Sequence, residues 1–320
     1  MSKLVASLSL DLDDQWTYLK THGDESWQSY PSYLNYAVPR ILDFLDKHQT
    51  PITFFIVAQD AAFDHNHDVL REIAVRGHDI GNHTFHHDPW LHIYSAEEIH
   101  EELGRAEEHI ERVTGVKPNG FRGPGFSFSD TVLKVLTERG YRYDASTFPN
   151  ILNPLARAYF LATSNLSKEE REQRKGLFGS WSDGLRPNKP YQWNSNGTHL
   201  LEIPVTTMPM MKVPIHASYI LYLGTFNYSL AISYLKFAIN MCKMTRTEPS
   251  ILLHPLDYLG CDDTEALSFF PAMRVKSDLK IRIMDEMFRL LNNHFDVRTM
   301  DGHADHIMSQ GKLKAKLVPA

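Results

Sequence analysis

The sequence predicts an α/β protein, a parallel sheet joined by right-handed helical crossovers, folded as one domain over residues 1–310 with a short tail at 311–320. Three observations lead there. Apolar runs of strand length alternate with segments of helical periodicity, and those helical segments carry start and stop residues at their ends. A length of 320 residues with 42% hydrophobic content is ample for one large core, so no second domain is required.

The run Val5-Ala6-Ser7-Leu8-Ser9-Leu10 alternates and is apolar enough to be a buried first strand, which puts Asp11, Asp13 and Asp14 where it ends. Leu34, Val38, Ile41, Leu42 and Leu45 form a helical stripe, and Ile52–Val57 is an apolar strand of the kind buried on both faces. Val69, Ile73 and Val75 belong to a short helix closed by Gly77. Ser95 with Glu98 forms a capping box for a long helix ending at Gly115, and Ser129 caps another that ends near Gly140. Residues 150–200 break this rhythm. A charge-rich run at 167–175 has the character of a solvated helix face, and Trp181 to Trp193 mixes aromatics with Gly184, Pro187 and Pro190, which predicts a long insertion. Ser218–Leu235 carries no formal charge and is long enough to cross a bilayer, but Thr225, Asn227, Ser229, Ser233 and Gly224 interrupt it. The expectation is a buried strand followed by a helix, or a greasy surface facing a partner, rather than a membrane span. Ile251-Leu252-Leu253 is a further strand with His254 at its end.

Composition narrows the function. A net charge of −6 gives no basic surface for nucleic acid. Two cysteines, Cys242 and Cys261, are too few for a disulfide framework and fit a reducing compartment. Met1–Leu4 run straight into the first strand, which predicts a cytoplasmic protein without a secretory leader. A homo-oligomer is compatible with all of this.

The stretch Gly77-His78-Asp79-Ile80-Gly81-Asn82-His83-Thr84-Phe85-His86-His87 carries the chemistry. His83 and His87 are spaced i, i+4, so one helical turn would set them side by side to share a cation. With a carboxylate from the first strand they make the ligand set of a catalytic zinc that keeps a position open for water. A histidine pair alone is weak evidence, and others of the 17 histidines, such as His65, His67, His86, His92 and His100, are expected in solvated turns or on exposed faces. Carboxylates at a strand end strengthen the case, because active sites of parallel α/β folds sit there. Strand alternation puts Asp11 and Asp13 on one face and Asp14 on the other, which makes Asp13 the expected ligand and Asp14 the reserve if the chain turns early. Zinc is the expected ion, with cobalt, manganese or iron(II) as alternatives.

Together these segments resemble the motifs of the polysaccharide deacetylase family, the NodB-homology or carbohydrate esterase family 4 domain. Ser9-Leu10-Asp11-Leu12-Asp13-Asp14 is similar to its first motif, Thr-Phe-Asp-Asp, with the carboxylates spaced differently. Gly77–His87 matches the second, His-Ser/Thr-x-x-His with its usual Gly-His-Asp/Glu-Ile-Gly-Asn lead. Phe121-Arg122-Gly123-Pro124-Gly125-Phe126 resembles the third, Arg-x-Pro; Tyr143-Asp144-Ala145-Ser146-Thr147-Phe148-Pro149 the fourth; and Ile251–Pro255 the fifth, Leu-x-His. The likeness is close over residues 4 to 155 and thins to isolated matches beyond.

The resemblance implies a distorted (β/α)7 barrel and a metal-dependent hydrolase that removes an N-acetyl group from an amino sugar, oligosaccharide or glycoconjugate. It implies Asp11 as the general base, Arg122 as the group that orients Asp11, and Asp144 as the carboxylate that tunes His254; His254 itself is expected to protonate the leaving nitrogen. The insertion would lie over the barrel mouth, either as a surface loop or oligomer contact or as a lid whose Trp181, Tyr191 and Trp193 stack on sugar rings. Two departures from the family pattern bear on the acyl pocket: Phe148 stands near the place of a pocket-wall Trp, and Gly125-Phe126 where Tyr-Gly is common. Rival readings are hydrolysis of a cyclic imide or ureide, O-deacetylation, and a silent carbohydrate-binding homologue.

Overall fold

The computed structural model describes residues 3–317 apart from 165, 174–180, 196–197 and 312. Its strands are β1 (Leu4–Leu12), β2 (Thr53–Ile56), β3 (Asp79–Asn82), β4 (Gly120–Phe121), β5 (Tyr143–Asp144), β6 (Tyr191–Ser195), β7 (Thr198–Glu202), β8 (Ser250–Leu253), β9 (Phe295–Arg298) and β10 (Ala315–Lys316). They form one sheet in the order β10-β6-β7-β5-β4-β3-β2-β1-β8, with β9 beside the start of β1. Every pairing is parallel except that of β6 with β7. The predicted barrel is present in its distorted form: among the described residues no ladder joins β8 to the far edge, so hydrogen bonds do not close it.

The helices are α1 (Gln15–His22), α2 (Leu34–His48), α3 (His67–Val75), α4 (Ala96–Thr114), α5 (Asp130–Glu138), α6 (Asn153–Thr163), α7 (Lys168–Gln173), α8 (Ala217–Phe226), α9 (Tyr228–Thr245), α10 (Ser277–His294) and α11 (Met300–Gln310). The capping box of α4 forms as expected, with the Ser95 hydroxyl accepting from Glu98 N–H and the Glu98 carboxylate accepting from Ser95 N–H. Gly115 closes that helix in the left-handed conformation at φ 74°. β1 and β2 are buried along their length, because helices cover one side of the sheet and its own residues fill the other. The largest core packs the stripe of α2 and the inner faces of α3, α9 and α10 against β1, β2 and β8; a second lies under α4 and α5.

Two expectations fail here. The uncharged stretch 218–235 is not a strand and a helix but most of α8 and the start of α9, joined at Asn227, whose side chain caps α9. No described helix is long and apolar enough to cross a membrane. The 150–200 segment does not leave its aromatics free for a ligand either: Tyr191 and Trp193 are each 1% exposed in β6, packed into the second core, and the Trp193 indole N–H donates to Glu202 at 2.8 Å. The Trp181 side chain lies outside the described residues.

Candidate active site

β1, β3, β4 and β8 run parallel and finish on one rim, where each delivers a polar side chain: Asp11 and Asp13, His83, Arg122 and His254. His83 and His87 do meet, with ring centroids 4.9 Å apart, but not on a helix. Residues 83–88 form a loop in which Thr84 and His87 hold positive φ, 65° and 54°. Strained backbone of this kind persists only where its surroundings fix it. Here a buried carboxylate does so: Glu102 of α4 accepts the N–H groups of Phe85 and His86 at 2.9 and 2.7 Å and pairs with the His86 ring at 2.6 Å. Asn82 accepts from Thr84 N–H and the Thr84 hydroxyl accepts from His87 N–H, so the loop's donors are satisfied without a helical ladder.

The Oδ1 of Asp13 lies 3.5 Å from Nε2 of His83 and 3.1 Å from Nε2 of His87, and the three ligand atoms fall within 4.8 Å of one another. All three residues are buried. His83 donates its Nδ1–H to the Arg122 carbonyl at 2.6 Å, which leaves Nε2 as the lone pair turned toward Asp13. Asp13 Oδ1 receives no well-directed hydrogen bond, although it is shut off from solvent. A buried carboxylate oxygen without a donor, facing two imidazole nitrogens, is costly as it stands and is relieved by a cation. The donor set fits a divalent metal. Burial pushes the Asp13 carboxyl up, yet the neighbouring His87, His83 and His254 hold it well below the usual carboxylate range. Burial also lowers the His83 pKa against the pull of Asp11 and Asp13, which favours the neutral imidazole that a metal requires.

Asp11 stands beside this cluster, Oδ2 3.9 Å from His83 Nε2, while its Oδ1 accepts from Nη1 of the fully buried Arg122 at 2.8 Å. The guanidinium is fixed in turn by Nε donating to the Ala145 carbonyl and by the Phe55 ring 4.6 Å beneath it. Gly123 follows because a Cβ there would lie 2.0 Å from the Ser127 carbonyl oxygen. Asp14 is turned away from the cluster: its carboxylate accepts from Gln15 N–H at 2.7 Å and Tyr33 N–H at 3.1 Å, capping α1.

His254 is close enough for its charge to act on Asp13, and the carboxylate hydrogen-bonded to its backbone is Asp257. Asp144 accepts from Ser146 and lies opposite Glu202 in the β5–β7 register; burial pushes its carboxyl up to about 6. Burial, then the Asp144 charge, pushes Glu202 well above the carboxylate range. Beside His254 stand Ser218 and Asp257. Ser218 Oγ is 3.2 Å from His254 Nδ1 and donates to Asp257 at 2.7 Å, and Asp257 also accepts the His254 backbone N–H at 2.8 Å. Lys280, 1% exposed, donates to the carbonyls of Leu256 and Leu259 and clamps the turn that carries Asp257. The two departures from the family pattern touch each other: Phe126 stacks on Phe148 at 5.0 Å, and Phe148 meets the His216 ring edge-on at 5.5 Å.

Glu102, Ser218, Asp257 and Lys280 escape sequence reading. Only Asp257 leaves a trace, three residues after His254 at capping-box spacing; Ser218 sits in a stretch legible only as apolar.

Comparison with known proteins gives the same picture. Residues 20–143 match the family described as polysaccharide deacetylase. The peptidoglycan-N-acetylmuramic acid deacetylase PdaA of Bacillus subtilis is 35% identical over 111 residues, 34% of this chain and 41% of that protein, so the chain spans about two-fifths of that relative's length. Among solved structures, a putative polysaccharide deacetylase from Mycobacterium smegmatis superposes with a TM-score of 0.65 at 19% identity, covering 100% of this chain and 95% of the other. The PuuE allantoinase superposes with a TM-score of 0.59 at 18% identity over 96% and 91% of the two chains. Both share the fold.

Proposed function

We propose that this chain, whose residues 20–143 match the polysaccharide deacetylase family, is a metal-dependent hydrolase removing the N-acetyl group from an amino sugar in an oligosaccharide or glycoconjugate. The observation that carries the reading is the meeting of Asp13, His83 and His87 around one point, with Asp11 held beside them by Arg122. Asp13, His83 and His87 would hold a divalent cation, zinc by preference for this mixed nitrogen and oxygen set, which when bound would supply Lewis-acid polarisation of the substrate carbonyl and a water acidified to a pKa of roughly 7.

Asp11 takes the proton of the attacking water. Its ion pair with Arg122 fixes the oxygen that faces the cluster. As the carbon–nitrogen bond breaks, the departing amine needs a proton, and His254, on the adjacent strand end, supplies it. The PdaA relative acts, by its name, on peptidoglycan N-acetylmuramic acid, which supports a cell-wall sugar as the substrate class.

Metal-loaded protein incubated with peptidoglycan fragments, N-acetylhexosamine oligomers and N-acetylated nucleotide sugars should release acetate from at least one class. Opening of a cyclic imide or ureide with no acetate from any sugar would replace the N-deacetylase reading.

A further inference from the structure

We infer that Ser218 is a positioning residue for His254, relaying the Asp257 carboxylate to Nδ1 so that Nε2 is the nitrogen that delivers the proton. This deepens the N-deacetylase reading and rests on it for the identity of the leaving group.

The contacts of the Ser218 hydroxyl favour one assignment. Ser218 Oγ touches two groups, Asp257 Oδ1 at 2.7 Å and His254 Nδ1 at 3.2 Å. A hydroxyl has one hydrogen, and a carboxylate can only accept, so that hydrogen goes to Asp257. The Ser218 oxygen is then an acceptor, and Nδ1 of His254 must carry its own hydrogen to meet it. In neutral His254 the lone pair therefore sits on Nε2, the nitrogen free to take up a proton and pass it on. A direct carboxylate contact would set the same tautomer, but the hydrogen bonds of Asp257 go elsewhere, Oδ1 to the Ser218 hydroxyl at 2.7 Å and Oδ2 to the His254 backbone N–H at 2.8 Å.

The relay is braced from both sides. Ser218 lies in the first turn of α8, immediately after the buried Ala217, and Asp257 ends the short turn that begins at Pro255. Lys280 of α10 holds the carbonyls of Leu256 and Leu259 at 2.7 and 2.6 Å, so the buried Asp257 cannot swing away without unpairing an ammonium. Burial pushes the Asp257 carboxyl up, while the His254 charge and the Ser218 hydroxyl favour its ionised form. Asp144, the expected tuner, is committed to Ser146 and Glu202. The Ser218–Asp257 pair is the hydroxyl and carboxylate that the hydrogen bonds place at His254.

The test reads the tautomer directly. Protein labelled with nitrogen-15 histidine is compared with His254→Gln to identify the His254 signals. Wild type should show Nδ1–H and a bare Nε2. Ser218→Ala should shift the ring toward the other tautomer, and Ser218→Thr, which keeps the hydroxyl, should restore it. In metal-loaded enzyme, Ser218→Ala should lower kcat on an N-acetylated sugar by about tenfold or more while sparing 4-nitrophenyl acetate, whose leaving group needs no proton. A wild-type ring with hydrogen on Nε2 overturns the relay even if Ser218→Ala fails to fold. So does a folded Ser218→Ala with an unchanged ring and equal losses on amide and ester. Should no N-acetylated sugar be hydrolysed while the tautomer still depends on Ser218, the relay stands and the N-deacetylase reading falls.

Discussion

His83 leans on the main chain of Arg122, giving its Nδ1–H to that carbonyl at 2.6 Å, while the guanidinium of the same residue holds Asp11 at 2.8 Å. One residue thus orients a metal-facing imidazole with its backbone and the neighbouring carboxylate with its side chain. The two tasks are separable. Arg122→Lys keeps the carbonyl, so metal content measured by elemental analysis should stay near that of wild type. Turnover should fall about tenfold or more, because an ammonium cannot reproduce the planar fork that also reaches the Ala145 carbonyl.

The three aspartates should part company under the same substitution. Asp13→Asn should lose most of the bound metal, since Oδ1 is the atom shared between His83 and His87. Asp11→Asn should keep the metal and lose about 10²-fold or more in kcat, as expected of a general base. Asp14→Asn should keep metal, turnover and the melting temperature, because both capping N–H groups donate to the one oxygen, Oδ1, that an asparagine amide also supplies, whereas Asp14→Ala should lose about 1 kcal/mol of stability. Loss of metal from Asp14→Asn alone would reverse the ligand assignment.

His78, in the same sequence motif as the metal-facing histidines, sets a pH dependence of stability. It is 7% exposed, accepts Ile52 N–H at 3.2 Å, and burial pushes its pKa down from 6.5 to about 4. A lowered folded-state pKa means that the folded protein binds fewer protons than the unfolded chain between those values. Its stabilising contribution is therefore complete above pH 6.5 and is lost as pH falls toward 4. The loss is at most about 3 kcal/mol before solvent screening reduces it. Urea titrations at pH 7, 5.5 and 4 should show a steeper decline for wild type than for His78→Gln, whose amide oxygen can still accept.

His254→Ala should keep the metal, slow amide hydrolysis severely and spare much of the activity on an aryl ester. Asp144→Asn should leave the amide-to-ester ratio unchanged, since Asp144 pairs with Glu202 rather than with His254. A changed ratio in Asp144→Asn would restore it as the tuning carboxylate.

The strands, most helices and the five motifs are legible because each depends on local pattern: apolar runs, caps, and polar residues placed at strand ends. Asp11, Asp13, His83, Arg122 and His254 gather as the order of parallel strands requires. What stays hidden depends on contacts distant in sequence. The histidine loop mimics helical spacing but is held open by Glu102, about fifteen residues later on α4, and nothing local marks that carboxylate as its partner. Tyr191 and Trp193 look like exposed stacking aromatics because the residues of the core they join, Leu103 of α4 and Val132 and Leu136 of α5 among them, lie far away in sequence. Asp257, three residues after His254, reads in sequence only as a local cap; the fold adds the Ser218 hydroxyl between it and the ring.

Reversible metal dependence of acetate release tests the central claim most directly. The protein is stripped with a chelator, assayed on N-acetylated cell-wall oligomers, reloaded with one equivalent of zinc and assayed again. The account predicts that acetate release vanishes on stripping, returns on reloading, and does not return in Asp13→Asn. Acetate release that is undiminished in chelator, or restored equally in Asp13→Asn, would contradict it.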